Sequence, residues 1–108
     1  MDKSTRIREL NDAFRTTFTG GRVLLSAGVN ALDELDKAAV LEKVRTFAGF
    51  DDGNDPHREH DFTNVEHNGE TYFAKLDYYA PDMQSGSEDP ADPSQTVRVL
   101  TVMRADEY

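Results

Sequence analysis

The residues of this chain best suited to chemistry lie close together, in His57-Arg58-Glu59-His60-Asp61, with Asp51, Asp52 and Asp55 just upstream. Imidazoles and carboxylates are the ligands of zinc, manganese and non-haem iron. If the chain holds a metal, its ligands are His57, Glu59, His60 and Asp61. The same residues allow acid–base work, with His57 or His60 as a general base poised by Glu59 or Asp61. Two histidines three apart share a side only in a helical turn, and Pro56 permits one turn there. The spacing is not that of the HExxH zinc sites. The competing reading is a polar loop whose Asp and His side chains bond backbone N–H groups.

No nucleophile accompanies these bases. There is no cysteine, no G-x-S-x-G elbow and no glycine loop to cradle a phosphate. Gly20-Gly21-Arg22 is too short for one and reads as a helix stop. A second acidic cluster, Glu88-Asp89-Pro90-Ala91-Asp92-Pro93, offers oxygen ligands without the spacing of a calcium loop. Its prolines make it a stiff acidic prong that loses little entropy when a basic groove closes on it. No cofactor is expected.

Charge is placed unevenly. Residues 1–48 carry eight Lys or Arg and seven Asp or Glu, a net of +1. Residues 49–108 carry four against fourteen, a net of −10, and the whole chain stands at −9. An acidic half repels nucleic acid and anionic membrane, so direct binding to either is disfavoured. It attracts cations and proteins with basic surfaces, or serves only to keep a small protein in solution. The absence of cysteine fits a reducing cytoplasm. No apolar run is long enough for a membrane span, and Met1-Asp2-Lys3-Ser4 leads into no secretory signal.

A chain of 108 residues has room for one domain. Helical spacing of Ile7, Leu10, Phe14, Thr17 and Phe18 predicts a first helix over about 5–18, capped by Ser4 and stopped by Gly20-Gly21. On this reading Arg6, Arg8 and Arg15 are a solvated face. The run Arg22 to Ser26 suggests a short strand. A second helix is predicted over about 34–48, capped by Asp33, with Leu35, Ala39, Val40, Val44 and Phe47 as its buried stripe. Asp33, Glu34 and Asp36 at its start and Lys43 and Arg45 at its end suit the helix dipole. Residues 50–60 are loop.

Asn68-Gly69 lies between two alternating, aromatic-rich runs and predicts a hairpin with a type I′ turn. That turn pairs His67 with Glu70, Val65 with Tyr72, Thr63 with Ala74 and Asp61 with Leu76. Val65, Tyr72, Ala74, Leu76 and Tyr78 then face the core. Phe62, Phe73 and Tyr79 fall on the other face, half-covered by the N-terminal strand or the acidic loop, or else free as a contact patch. Residues 96–103 return as another antiparallel strand. The linking segment 80–95 carries Asp82, Glu88, Asp89 and Asp92 and no basic residue, a net of −4. Its length is that of a functional or disordered loop. The expected fold is α+β, an antiparallel sheet of three or four strands with two helices packed on one face.

Several motifs carry a resemblance: Leu10-Asn11-Asp12-Ala13-Phe14-Arg15, Gly20-Gly21, Asn54-Asp55-Pro56-His57, Glu59-His60-Asp61-Phe62, Asp77-Tyr78-Tyr79, the run Gly86 to Pro93, Arg98-Val99-Leu100-Thr101 and Glu107-Tyr108. Together they resemble a bacterial domain-of-unknown-function family numbered 3768, over nearly the whole chain. The family often carries Pro where this chain has Asp33. The resemblance implies no activity and no catalytic residue. It does imply a setting, since members are similar to proteins encoded on plasmids and other mobile elements, where small acidic proteins often inhibit host defence.

Three functions follow as expectations. The first is a binding protein that occupies a basic, nucleic-acid-binding host-defence protein, of anti-CRISPR or anti-restriction type. Its contacts would be Asp51, Asp52, Asp55 and Glu59 in one loop and Asp82, Glu88, Asp89 and Asp92 in the other. Duplex DNA carries one charge per about 1.7 Å of axis, so clustered carboxylates can occupy the same lysines and arginines. The second is a metal-dependent hydrolase on the His57–Asp61 cluster. The third is a regulatory interaction module that uses the aromatic face.

Overall fold

A computed structural model describes residues 2–108. Helix α1 spans Lys3–Thr17, strand β1 Arg22–Leu25, the single turn α2 Ala27–Asn30 and helix α3 Glu34–Arg45. Strands β2 (Phe62–His67), β3 (Glu70–Tyr79) and β4 (Val97–Arg104) follow. Short 3-10 turns at Pro93–Gln95 and Ala105–Glu107 precede and follow β4.

The fold is α+β, as expected, with four strands in the order β1-β4-β3-β2. The hairpin has the expected register, Val65 opposite Tyr72 and Thr63 opposite Ala74. Asn68 (φ 51°) and Gly69 (φ 79°) both take the left-handed conformation that a type I′ turn requires. One detail differs, because β1 pairs with β4 in parallel and the sheet is mixed. The topology explains it. Helix α3 carries the chain back to the end where β1 started, so β2 points the same way as β1, and two antiparallel steps give β4 that direction too.

All three helices lie on one face. Phe14 of α1, Val29 of α2 and Val40 and Val44 of α3 close over Val65, Tyr72, Ala74, Leu76, Leu100 and Val102. Phe14, Val29, Val40, Val44 and Val102 are at most 2 % exposed. Burying each valine is worth about 1.5–3 kcal/mol, and truncating Phe14 to alanine costs about 3–5 kcal/mol.

Helix α1 departs from expectation at both ends. Asp2, not Ser4, caps it, its carboxylate accepting from the Thr5 N–H at 2.8 Å. It stops before the glycines, with Phe18 at φ 57° and its N–H on the Phe14 carbonyl. Arg15 is not solvated but 3 % exposed. Its Nη1 donates to the carbonyls of Val44, Arg45 and Phe47, which caps the C-terminal end of α3 with a cation. Helix α3 is capped by Asp33 as expected but ends at Arg45. Leu35 is 85 % exposed. It sits five residues before Val40, about 140° around the helix from it, and is outside the stripe.

The aromatic face is partly covered by an element that its alternation does not announce. Tyr108 stands edge-on to Phe62 and Phe73, with ring centroids 6.1 and 5.6 Å away. Glu107 anchors that tail. Its carboxylate accepts from Ser26 Oγ (2.6 Å), the Gly28 N–H (2.9 Å) and the Arg104 N–H (2.8 Å). Tyr79, at the other end of the face, lines a recess with Leu24 of β1 and Met83 of the acidic loop.

Candidate functional site

The two acidic segments leave the sheet at the same end. Phe62 pairs with Lys75 and Tyr79 with Val97, so the chain entering β2 and the chain joining β3 to β4 both leave the sheet opposite the Asn68-Gly69 turn. Helix α1 touches both. Arg8 Nη1 donates to the Arg58 carbonyl at 3.4 Å, and Lys3 Nζ lies 3.7 Å from Asp89 Oδ1.

Residues 50–61 form a tightly bonded loop. Asp51 Oδ1 accepts from the N–H groups of Gly53 and Asn54, and Asn54 Oδ1 accepts from the Asp51 N–H, three bonds of which the Asp51–Asn54 pair is reciprocal. Asp55 is buried, and its Oδ1 accepts from the His60 N–H at 3.1 Å. The His60 ring is held by two carboxylates and an aromatic ring. Its Nδ1 lies 2.8 Å from Asp12 Oδ1 and its Nε2 3.5 Å from Asp55 Oδ2, and the ring stacks on Phe50 with centroids 3.8 Å apart. Asp12 also accepts from Arg15 Nη2 at 3.0 Å. Arg58 (φ 57°) and His60 (φ 55°) both adopt the left-handed region. Non-glycine residues hold that geometry only where the surroundings over-determine it.

The four candidate metal ligands part company. His60 faces Asp12 and Asp55, Glu59 Oε1 accepts from the Tyr78 hydroxyl at 3.0 Å, and His57 is exposed. The Asp61 carbonyl accepts the Leu76 N–H. Burial, followed by the nearby Asp55 and Asp77 charges, pushes the Asp61 carboxyl above its usual value. Among the described residues no group of three His, Asp or Glu side chains is placed to hold a metal ion.

The loop 80–95 is folded back on itself. Ser87 N–H donates to the Tyr78 carbonyl, and Tyr79 forms a bridge with Gly86. Asp92 accepts from Ser94 and Gln95 and Asp89 from the Ala91 N–H, so both carboxylates build turns. These bonds hold the Asp92 carboxyl below its usual value, the Ser94 hydroxyl contributing most.

Of the eight acidic residues expected to meet a partner, four are well exposed: Asp51, Asp52, Asp82 and Glu88. Asp55 and Glu59 turn inward, while Asp89 and Asp92 are half-buried. The surface is nevertheless more acidic than the composition suggests. Burial removes Arg15, Arg98 and Asp55, which leaves ten Lys or Arg against twenty Asp or Glu, a net of −10.

Sequence reasoning missed the polar centre behind this end. Asn11, fully buried, donates from Nδ2 to the Glu59 carbonyl (2.9 Å) and the Tyr78 hydroxyl (2.8 Å). Arg98 Nε donates to Asn11 Oδ1 at 2.7 Å, and its guanidinium lies 5.3 Å from the Tyr78 ring centroid. Burial, with Glu59 beside it, pushes the Tyr78 hydroxyl well above the ordinary tyrosine range. A signal was present, since Asn11 and Arg15 lie four and eight residues after Ile7, on the stripe itself.

The family model described as Protein of unknown function (DUF3768) matches residues 25–107, and the chain belongs to that family. No curated protein and no solved structure matches the chain. The matched residues include both acidic loops and the sheet from β2 onward, whereas α1 and most of β1 precede them.

Proposed function

We propose that this member of the family is a small acidic binding protein that occupies the basic surface of a nucleic-acid-binding protein and so blocks it. The partner best suited to that role is a host-defence protein, of anti-CRISPR or anti-restriction type. The observation that carries the reading is the gathering of two acidic loops at one end of the sheet, on a surface of net −10.

Asp51, Asp52, Asp82 and Glu88 are the contact carboxylates. Asp55, Glu59, Asp89 and Asp92 hold the loops that present them, and Asp51 and Asp82 add turn bonds of their own, from the Gly53 and Asn54 N–H groups and from the Gln84 N–H. A loop already fastened by internal hydrogen bonds loses little freedom on binding, which favours affinity. Opposed charges also speed encounter and make it steeply salt-dependent. A cytoplasmic setting, where such partners act on DNA, fits a chain without cysteine. The resemblance to proteins of mobile elements supplies the biological reason for an inhibitor. The test is capture of a partner from host lysate at low salt, followed by competition with duplex DNA for it.

A further inference from the structure

Among the described residues no carboxylate pairs directly with the buried Arg98, whose charge is offset only by the Tyr78 ring at 5.3 Å and by Glu59 at longer range. Arg98 is 4 % exposed. Its Nε donates to Asn11 Oδ1 and its Nη2 to the Pro90 carbonyl, both neutral acceptors. Nη1 has no acceptor among the described residues, yet it is not sealed from solvent as Arg15 Nε and Arg104 Nε are. Burial lowers the Arg98 pKa from the ordinary arginine value, but arginine stays charged in proteins. Buried charges are normally paired, because desolvation otherwise goes uncompensated.

Beside Arg98 lies a cleft of about 200 Å³ between α1, the Thr19-Gly20 turn and the segment Pro93 to Thr96. Its walls are mostly apolar, with Leu10, Ala13 and Phe14 on one side and Pro93 on the other. Among the described residues Arg98 is the one charged residue that lines it. Binding pockets commonly combine apolar walls with a few polar groups that fix orientation. With Nε and Nη2 already engaged, Nη1 offers a carboxylate a charge-assisted hydrogen bond.

We propose that this cleft binds a small free monocarboxylate with a short apolar body. The carboxylate accepts from Arg98 Nη1, and the hydrocarbon part lies against Leu10, Ala13 and Phe14. The volume limits the ligand to a few carbon atoms. The negative field of the whole molecule opposes anion entry, so selectivity rests on the pairing with Arg98 and on the apolar walls together.

Sodium butyrate, titrated into the full chain at constant ionic strength and followed by two-dimensional NMR, tests this. The expected result is a saturable shift at the Arg98 guanidinium, the Ala13 methyl and Thr96. Butyramide, the neutral isostere, should bind about tenfold more weakly or worse, since it cannot take a charge-assisted bond. Inorganic phosphate should also be weaker, because it has no apolar body. Arg98→Met removes the cation but disturbs the core. Ala13→Leu is therefore the main variant: position 13 is exposed on the helix, leucine is a good helix former, and its side chain fills the cleft. It should keep the fold and abolish the shifts. A peptide's C-terminal carboxylate has the same chemistry, so an acetylated tripeptide ending in alanine is titrated alongside. No saturable shift with butyrate, equal binding of butyramide or phosphate, tighter binding of the peptide, or unchanged binding in Ala13→Leu would each overturn the proposal.

Discussion

Asn11 and Arg98 stand 87 residues apart in sequence and meet in the interior, Nε to Oδ1, at 2.7 Å. Through that bond α1, which precedes the family-matched residues, is fastened to β4, which lies within them. Asn11 uses its carbonyl for Arg98 and its amide for Glu59 and Tyr78, so every polar atom of its side chain is committed. Asn11→Leu is close in volume but leaves Arg98 Nε and the Glu59 carbonyl without their partner. Loss of one buried partner costs about 1–3 kcal/mol, more where a charge is involved. The expected destabilisation is therefore about 2–4 kcal/mol in denaturant unfolding. A loss below about 0.5 kcal/mol would show that the centre is not structural.

The hairpin turn makes a second expectation. Gly69 sits at φ 79° with open space where a Cβ would project, so only backbone conformation opposes a side chain there. Gly69→Val should cost about 1 kcal/mol or more, because a β-branched residue is strained at positive φ. Gly69→Asn should cost less, as asparagine tolerates that region. Equal stability of the two variants in thermal unfolding would contradict the type I′ assignment.

How much was legible in the sequence follows the range of the interactions. The hairpin, its register and the Asp33 cap depend on neighbours in the chain, and alternation and turn chemistry announce them. The parallel placement of β1 depends on where α3 returns the chain, which no local pattern records. Arg15 reads as a surface cation because arginine usually is one. Its position eight residues after Ile7 placed it on the buried stripe, and the carbonyls it caps lie about 30 residues away. The acidic ends were legible as composition, but not the division of labour within them, since an Asx-turn carboxylate and a free one read alike.

The Glu107 clasp should respond to pH. Bonds from Ser26, then from the Arg104 and Gly28 N–H groups, hold its carboxyl below the ordinary glutamate value. A carboxyl depressed in the folded state contributes stability above its unfolded pKa and loses it as pH falls through the folded one. Acidification below the ordinary glutamate range should therefore release Tyr108 from Phe62 and Phe73, visible as loss of the ring-to-ring NMR contacts. Gly28→Ala should do the same at neutral pH, since a Cβ there would stand 2.6 Å from Glu107 Oε1 and 2.7 Å from Arg104 Cδ. Retained contacts in both experiments would contradict the anchoring role of Glu107.

Asp61 should behave in the opposite sense. Its carboxyl is raised from 3.8, chiefly by burial, so the folded state resists its ionisation. The protonated form carries no such penalty. Stability is full below the unfolded pKa and is lost as pH rises through the folded one. Asp61→Asn should thus be more stable than the wild type at about pH 7 and indistinguishable from it at about pH 3. A gain that persists at the acid end would mean that the aspartate is disfavoured for a reason other than its charge.

The central claim is that carboxylates at one end of the sheet occupy a partner's nucleic-acid site. The most direct measurement is competition between this protein and duplex DNA for the captured partner, with a charge-reversed variant beside the wild type. Asp52, Asp82 and Glu88 are the residues to reverse to lysine, since they are exposed and reversal leaves the Asp55, Asp89 and Asp92 bonds in place, giving up only the exposed Asp82 bond to the Gln84 N–H and the Asp52 pair with Arg58. Glu34, Glu42 and Glu66, exposed on α3 and β2, serve as the control set. The wild type and the control variant should displace DNA at low salt and lose that ability steeply as salt rises, because such attraction is screened within about 10 Å at 0.1 M. The Asp52, Asp82, Glu88 variant should remain folded, exposed charges contributing little to stability, and should fail to displace DNA. Displacement by that variant as strong as by the wild type, at low and high salt alike, would contradict the claim.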